Sequence, residues 1–183
     1  MNPINNVLDF LIHVLFTSYI YAVIIRMLLG LTRADFYNPF SQLILTITNP
    51  VLTPLRKLIP SIGGIDTSAI MLILILKFIE LAVRSFLVSK QVLLSALIVP
   101  SIVGVLNQVV NIFIFAIIIL VVISWVAPHM HGQSNPITPI LRSITEPLIR
   151  PARKLIPPIG VFDLSTFAVL LGLYCIKIIL HSF

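Results

Sequence analysis

The sequence predicts an all-α integral membrane protein in which four transmembrane helices form two parallel-related hairpin repeats. Three observations support this fold class. First, the 183 residues are 58% hydrophobic and only 10% charged, whereas soluble domains carry about 25% charged residues. Second, four apolar segments reach the roughly 20 residues that a helix needs to cross a bilayer. Third, a proline-rich stretch occurs twice, which indicates that the whole unit is duplicated.

The four apolar segments are residues 7–31, 69–89, 102–127 and 164–183. The first segment carries Asp9 and no basic residue precedes it, so we do not expect a cleaved signal peptide. Cys175 is the only cysteine and lies within the fourth segment, so it leaves the redox compartment undetermined.

The repeat is clearest in the segments that follow the first and third spans. Residues 38–68 align with residues 135–165 without a gap at an offset of 97, and 15 of the 31 aligned positions are identical. This period is too long for a solenoid unit, so we predict two copies of one larger unit. The predicted domains are residues 1–90 and 102–183, joined by a connecting segment, residues 91–101.

Four polar residues are predicted to cap helices at the ends of the two loop units, residues 38–66 and 135–163. Asn38 and Asn135 each precede a proline, an order typical of a helix start. Asp66 and Asp163 precede the second span of each repeat, where a carboxylate satisfies free N–H groups and suits the helix dipole.

Proline positions predict that each loop unit contains only short helices. In the first unit we expect a helix over residues 39–48, because Pro50 and Pro54 would break or bend a helix interior. Residues 55–59 would add at most one further turn. Short apolar helices with basic residues suit the headgroup region of a membrane. A re-entrant loop is the alternative, and it would need protein or water around its backbone.

Basic residues are concentrated in these loop units. Arg56 and Lys57 in the first unit match Arg153 and Lys154 in the second, and we predict that all four contact anionic lipid or a protein partner. Most of the lysines and arginines lie in or beside the loop units, so the positive-inside rule places both units in the cytoplasm and both termini in the periplasm. The net charge of +6 then reflects membrane orientation, and we expect no nucleic-acid partner.

Charged residues also occur within the predicted spans. Lys77 would lie roughly 16 Å beyond the Asp66 cap at about 1.5 Å per residue, near the middle of the bilayer. Glu80 shares its helix face, and the repeat offset makes Glu80 equivalent to Lys177. We therefore predict an intramembrane charge cluster of Lys77, Glu80 and Lys177, with Glu80 and Lys177 approaching across a pseudo-twofold axis. The alternative is that each side chain extends separately to the interface, as we expect for Arg26.

Motifs for catalysis or cofactor binding are missing from the sequence. There is no phosphate-binding glycine loop, no nucleophile elbow and no pair of Cys-x-x-Cys motifs. His129 and His131 alone would make a weak metal site, so we expect no metal, no cofactor and no enzymatic activity.

The duplicated residues resemble those of the YggT family of bacterial inner-membrane proteins, and the resemblance covers essentially the whole chain. The motifs that carry it are Asn38-Pro39, Thr48-Asn49-Pro50, Pro54, Arg56-Lys57, Ile59-Pro60, Gly63 to Asp66 and Ser68, with their copies from Asn135 to Ser165. The resemblance implies an inner-membrane location and a role in tolerance of osmotic stress and in potassium homeostasis. Plastid and cyanobacterial relatives imply instead a role in division or in assembly of membrane complexes.

Two hypotheses of function therefore remain open. In the first, the chain handles ions during osmotic adaptation through its intramembrane charges, and it forms a homo-oligomer because four spans rarely enclose a pore. In the second, it is a non-transporting scaffold whose basic loop units bind anionic lipid or a cytoplasmic protein.

Overall fold

The computed structural model describes residues 3–90, 92–126, 136–156 and 163–182, and within this part of the chain helices are joined by turns and no β-strand is present. A short 3-10 helix, Leu94–Leu97, precedes the fourth α-helix. The six α-helices are α1 (Pro3–Leu31), α2 (Pro39–Leu58), α3 (Thr67–Ser89), α4 (Ile98–Val126), α5 (Ile137–Leu155) and α6 (Leu164–Leu180).

Within the described residues, two helical segments are long and apolar enough to cross a membrane, namely Pro3–Leu31 and Leu94–Trp125. α6 is equally apolar in character but has only 17 residues. α3 has 23 residues, and three charged side chains interrupt its apolar sequence.

The helices pack in two groups that follow the repeat. α1 packs against α2 and α3, while α4 packs against α5 and α6, and α3 contacts α4 between the groups. The larger apolar core is built from α1, α2 and α3 and includes Ile112, Ile140 and Ile144 from the second group. The amide of Asn38 also crosses between the groups, because it donates to the Pro136 carbonyl at 2.6 Å.

The prediction that prolines divide the loop unit into short helices is wrong. α2 continues through Pro50 and Pro54 as one helix of 20 residues, and α5 likewise contains Pro147 and Pro151. In each helix the two prolines are four residues apart and share an exposed face. The carbonyls that lose their N–H partners therefore lie on that exposed side, where the polar headgroup layer or water can satisfy them.

Burial of the opposite face of α2 offsets the free-energy cost of its two interior prolines. Each interior proline costs about 3 kcal/mol, and burial of one large aliphatic side chain contributes about 1.5–3 kcal/mol. The two effects are thus of similar size. The buried residues of α2 recur at helical spacing and are Ser41, Ile44, Thr48 and Leu52.

Candidate functional site

A network of ionisable side chains lies between α1 and α3, and Glu80 is its centre. The Glu80 side chain is fully buried. Its Oε2 accepts a hydrogen bond from Lys77 Nζ at 2.9 Å, and its Oε1 lies 2.7 Å from His13 Nδ1. Both carboxylate oxygens therefore have partners, as a buried charge requires.

Arg84 extends the network to Asp9. Its Nε and Nη2 donate to the two Asp9 carboxylate oxygens at 2.8 and 3.0 Å, which is the bidentate arrangement that suits guanidinium and carboxylate. Arg84 Nη1 also lies 3.7 Å from Glu80 Oε1 and 3.3 Å from His13 Nδ1. Asp9, His13, Glu80 and Arg84 thus form one connected group.

Helical spacing explains how the sequence builds this network. Asp9 and His13 are four residues apart on α1, and Lys77, Glu80 and Arg84 follow each other by three and four residues on α3. These intervals place each set on one helix face. Packing of α1 against α3 then brings the two faces together.

The formal charges of the network sum to zero, and its side chains differ in the fraction that is exposed. Two carboxylates (Asp9 and Glu80) and two cations (Lys77 and Arg84) sum to zero when His13 is neutral. The side chains of Lys77 and Glu80 are 9% and 0% exposed, whereas that of His13 is 44% exposed. A half-exposed imidazole therefore contacts a carboxylate that is itself shielded.

Gly104 on α4 makes room for Lys77. A Cβ atom at this position would lie 2.6 Å from Lys77 Cε, which is closer than side chains tolerate. Because Gly104 has no side chain, α4 can cover Lys77 while the Lys77 amine remains hydrogen-bonded to Glu80.

The predicted contact between Glu80 and Lys177 is not formed. Lys177 Nζ instead donates to Asn111 Oδ1 of α4 at 2.9 Å. α4 packs against both α3 and α6. Lys177 therefore bonds to α4, and Glu80 bonds to residues of α1 and α3, so the two do not pair with each other. The cluster predicted from the sequence therefore contains Lys77 and Glu80 but not Lys177, and it gains Asp9, His13 and Arg84.

An arginine–aspartate pair recurs in both loop units. Arg56 Nε donates to Asp66 Oδ2 at 3.1 Å, and its Nη2 contacts the same oxygen. Arg153 donates to Asp163 Oδ2 through Nε at 3.0 Å and Nη2 at 2.8 Å. Each pair ties the end of the proline-containing helix to the start of the next helix. Arg56 and Arg153 are thus paired within the chain while remaining partly exposed, and Lys57 and Lys154 are exposed as well.

The same aspartates are helix caps. Asp66 accepts from the Ala69 N–H at 3.2 Å, and Asp163 accepts from the N–H groups of Ser165 and Thr166 at 3.1 and 3.3 Å. Burial raises the pKa of Asp163, but hydrogen bonds from Ser165, Arg153 and Thr166 outweigh it and hold the pKa at about 2. The pKa of Asp66 is lowered from its ordinary value by the same balance.

One of the two predicted asparagine caps lies within the described residues, and at the start of α5 the structure has Pro136 at the N-cap position. Asn38 is the N-cap of α2, and its side chain accepts from the Phe40 N–H at 2.9 Å. Asn135 lies outside the described residues, as do His129 and His131.

Arg26 does not extend to an interface as the sequence led us to expect. It is 5% exposed, and its Nη1 donates to Thr48 Oγ1 at 2.8 Å. The reason is the packing of α2 against this end of α1, which brings Thr48 to the guanidinium. Thr48 donates in turn to the Ile44 carbonyl at 2.6 Å.

These features define a helical protein with bilayer-length apolar helices and a charge network sheltered between α1 and α3. The chain belongs to the CCB3/YggT family, whose model matches residues 5–87 and 99–183. The two matched segments follow the duplication.

Curated relatives extend over most of this chain. A protein of Pseudomonas aeruginosa is 37% identical, with 98% of this chain and 90% of the relative covered. A protein of Vibrio alginolyticus is also 37% identical, over 92% of this chain and 90% of its own length. Protein YggT of Escherichia coli K12 is 32% identical, over 94% and 88%. All three are described as uncharacterized. No solved structure matches the chain.

Proposed function

We propose that the chain is a multi-pass protein of the bacterial inner membrane that supports tolerance of osmotic stress and takes part in ion homeostasis, potassium being the first ion to test. The single observation that carries this proposal is the buried network around Glu80. Ionisable groups within a membrane are costly and often mark the paths of ions or protons. Here the shielded carboxylate contacts a half-exposed histidine.

The proposed topology has four spans and two surface helices. α3 and α6 would be about 35 and 26 Å long at about 1.5 Å per residue, against a hydrocarbon core of about 30 Å. α2 and α5 would lie at the cytoplasmic surface with their basic ends in the headgroup layer. Four spans alone rarely enclose a pore, so an ion path would form in a homo-oligomer.

Flux through reconstituted protein tests the ion-handling proposal. We expect proteoliposomes to take up rubidium, and we expect Glu80→Gln to change the initial rate at least about tenfold, which corresponds to about 1.4 kcal/mol. Lys77→Gln should change it in the same assay. Lys90→Gln is the matched control, because Lys90 is exposed at the end of α3 and makes none of the network contacts. Absence of flux through the unaltered protein would refute ion transport.

A second candidate function is supported by the exposed surface of α2 and α5. Both helices bury one face and carry basic residues in their last turn. Such a surface suits a non-transporting scaffold that binds anionic phospholipid or an acidic segment of a cytoplasmic protein. Since Arg56 and Arg153 are paired internally, the exposed lysines Lys57 and Lys154 are the residues to test.

Lipid retention distinguishes this scaffold from a transporter. We expect native mass spectrometry to show preferential retention of phosphatidylglycerol over phosphatidylcholine, and Lys57→Gln with Lys154→Gln should reduce that preference several-fold. Both arginine–aspartate pairs stay intact in this variant. Lys90→Gln is again the control. An unchanged preference in the double variant would refute lipid binding by this surface and leave an acidic protein segment as its partner.

A further inference from the structure

A cavity of about 430 Å³ with both apolar and charged walls lies beneath the first loop unit, where α1 meets α2 and the turn before α3. Its lining includes Arg26, Arg56, Ser61, Gly64 and Asp66. This volume is within the range of small-ligand sites, about 300–1,000 Å³.

Arg26 is the unusual residue in this cavity. It is 95% buried, and among the described residues its guanidinium makes one hydrogen bond, to the neutral hydroxyl of Thr48. A guanidinium carries five N–H donors, and a buried charge without a carboxylate partner is costly. The nearby Asp66 is already held by Arg56. The cavity therefore has a formal charge of +1, from two arginines and one aspartate.

The second repeat provides an internal comparison. A cavity of about 600 Å³ lies at the corresponding place between α4, α5 and α6, and its charged lining residues are Arg142, Glu146, Arg153 and Asp163. These two cations and two anions sum to zero. Thr145, the equivalent of Thr48, donates to the Leu141 carbonyl at 2.8 Å, and no arginine bonds to it among the described residues.

We propose that the cavity of the first repeat binds a phosphate group, with Arg26 as its principal ligand. The planar guanidinium offers paired N–H donors that match phosphate oxygens. Arg56 lies on the same cavity and adds positive charge. The cavity faces the end of α1, which the proposed topology places at the cytoplasmic surface, so the phosphate belongs either to an anionic lipid headgroup or to a soluble phosphate.

Binding to the delipidated full-length protein in neutral detergent tests this site and separates the two sources. We expect calorimetry to give one site per chain, for dihexanoylphosphatidylglycerol if the ligand is a lipid and for inorganic phosphate if it is a soluble anion. Arg26→Gln should weaken the affinity at least about tenfold, a change of about 1.4 kcal/mol, and Arg26→Lys should weaken it less. Arg142→Gln, on the neutral cavity, should leave the affinity unchanged.

A measurement on the unaltered protein guards against variants that fail to fold. Phenylglyoxal modifies arginine side chains, and the bound ligand should protect Arg26 from it more than it protects Arg142, as mapped by mass spectrometry. Absence of binding by both ligands, equal losses in Arg26→Gln and Arg142→Gln, or a lack of protection at Arg26 would each overturn the proposal. Neither Lys57 nor Lys154 lines this cavity, so its test is separate from those of transport and of the basic surface.

Discussion

Glu80→Gln is expected to lower the free energy of unfolding by about 3–5 kcal/mol, since removal of one partner from a buried ion pair leaves the other charge uncompensated. Glu80 is the carboxylate that Lys77 contacts, and both side chains are almost fully buried. His13 loses its charged partner as well. Denaturation of the purified protein in mixed detergent micelles measures the change.

A double-mutant cycle shows whether this loss arises from the observed pairing. Lys77→Met should restore much of the stability lost in Glu80→Gln, because the double variant no longer buries an unpaired charge. Lys177→Gln is the matched control, since Lys177 bonds to Asn111. Its effect should add to that of Glu80→Gln within about 0.5 kcal/mol. Coupling to Lys177 and additivity with Lys77 would contradict the structure.

Asp163→Ala is expected to destabilise the protein by about 2 kcal/mol. Loss of an N-cap costs about 0.5–2 kcal/mol, and loss of a partly exposed ion pair costs up to about 1 kcal/mol. Asp163 provides both interactions, because it caps α6 and binds Arg153. Asp163→Asn separates them: it keeps a good capping side chain and removes the charge, so its effect should be the smaller one. Equal effects would show that the charge alone matters.

The pH dependence of stability provides a second readout of Asp163. Its pKa is lowered from 3.8 to about 2 in the folded protein. The deprotonated form is therefore favoured by folding, so its stabilising contribution is present above pH 3.8 and is lost as the pH falls toward 2. Asp163→Ala should lose less stability than the unaltered protein between about pH 5 and about pH 2.5. Parallel losses would assign the acid sensitivity to other groups.

The sequence predicts that Lys77 and Glu80 belong to the candidate site, but it does not predict which residues of other helices contact them. The depth of Lys77 and its position one turn before Glu80 follow from helix geometry, and the structure joins these two residues. The four-residue spacing of Asp9 and His13 indicates a second polar helix face. The offset between the repeats instead favours Lys177 as the partner of Glu80. Equivalent residues occupy the same position within their own repeats, but they need not contact each other. The burial of Arg26 cannot be predicted from helix periodicity, because it depends on how α2 packs against α1.

The helical class, the duplication, the apolar segments and the capping role of residues such as Asp66 can all be predicted from the amino-acid order. These properties depend on local composition and on contacts a few residues apart, which the chain order specifies directly. Packing between helices is what carries α2 through its prolines, pairs Glu80 with residues of α1 and α3, and buries Arg26 beside a cavity. Each of these depends on which helix faces which, because burial sets the cost of an unpaired charge and exposure sets the cost of an unpaired carbonyl.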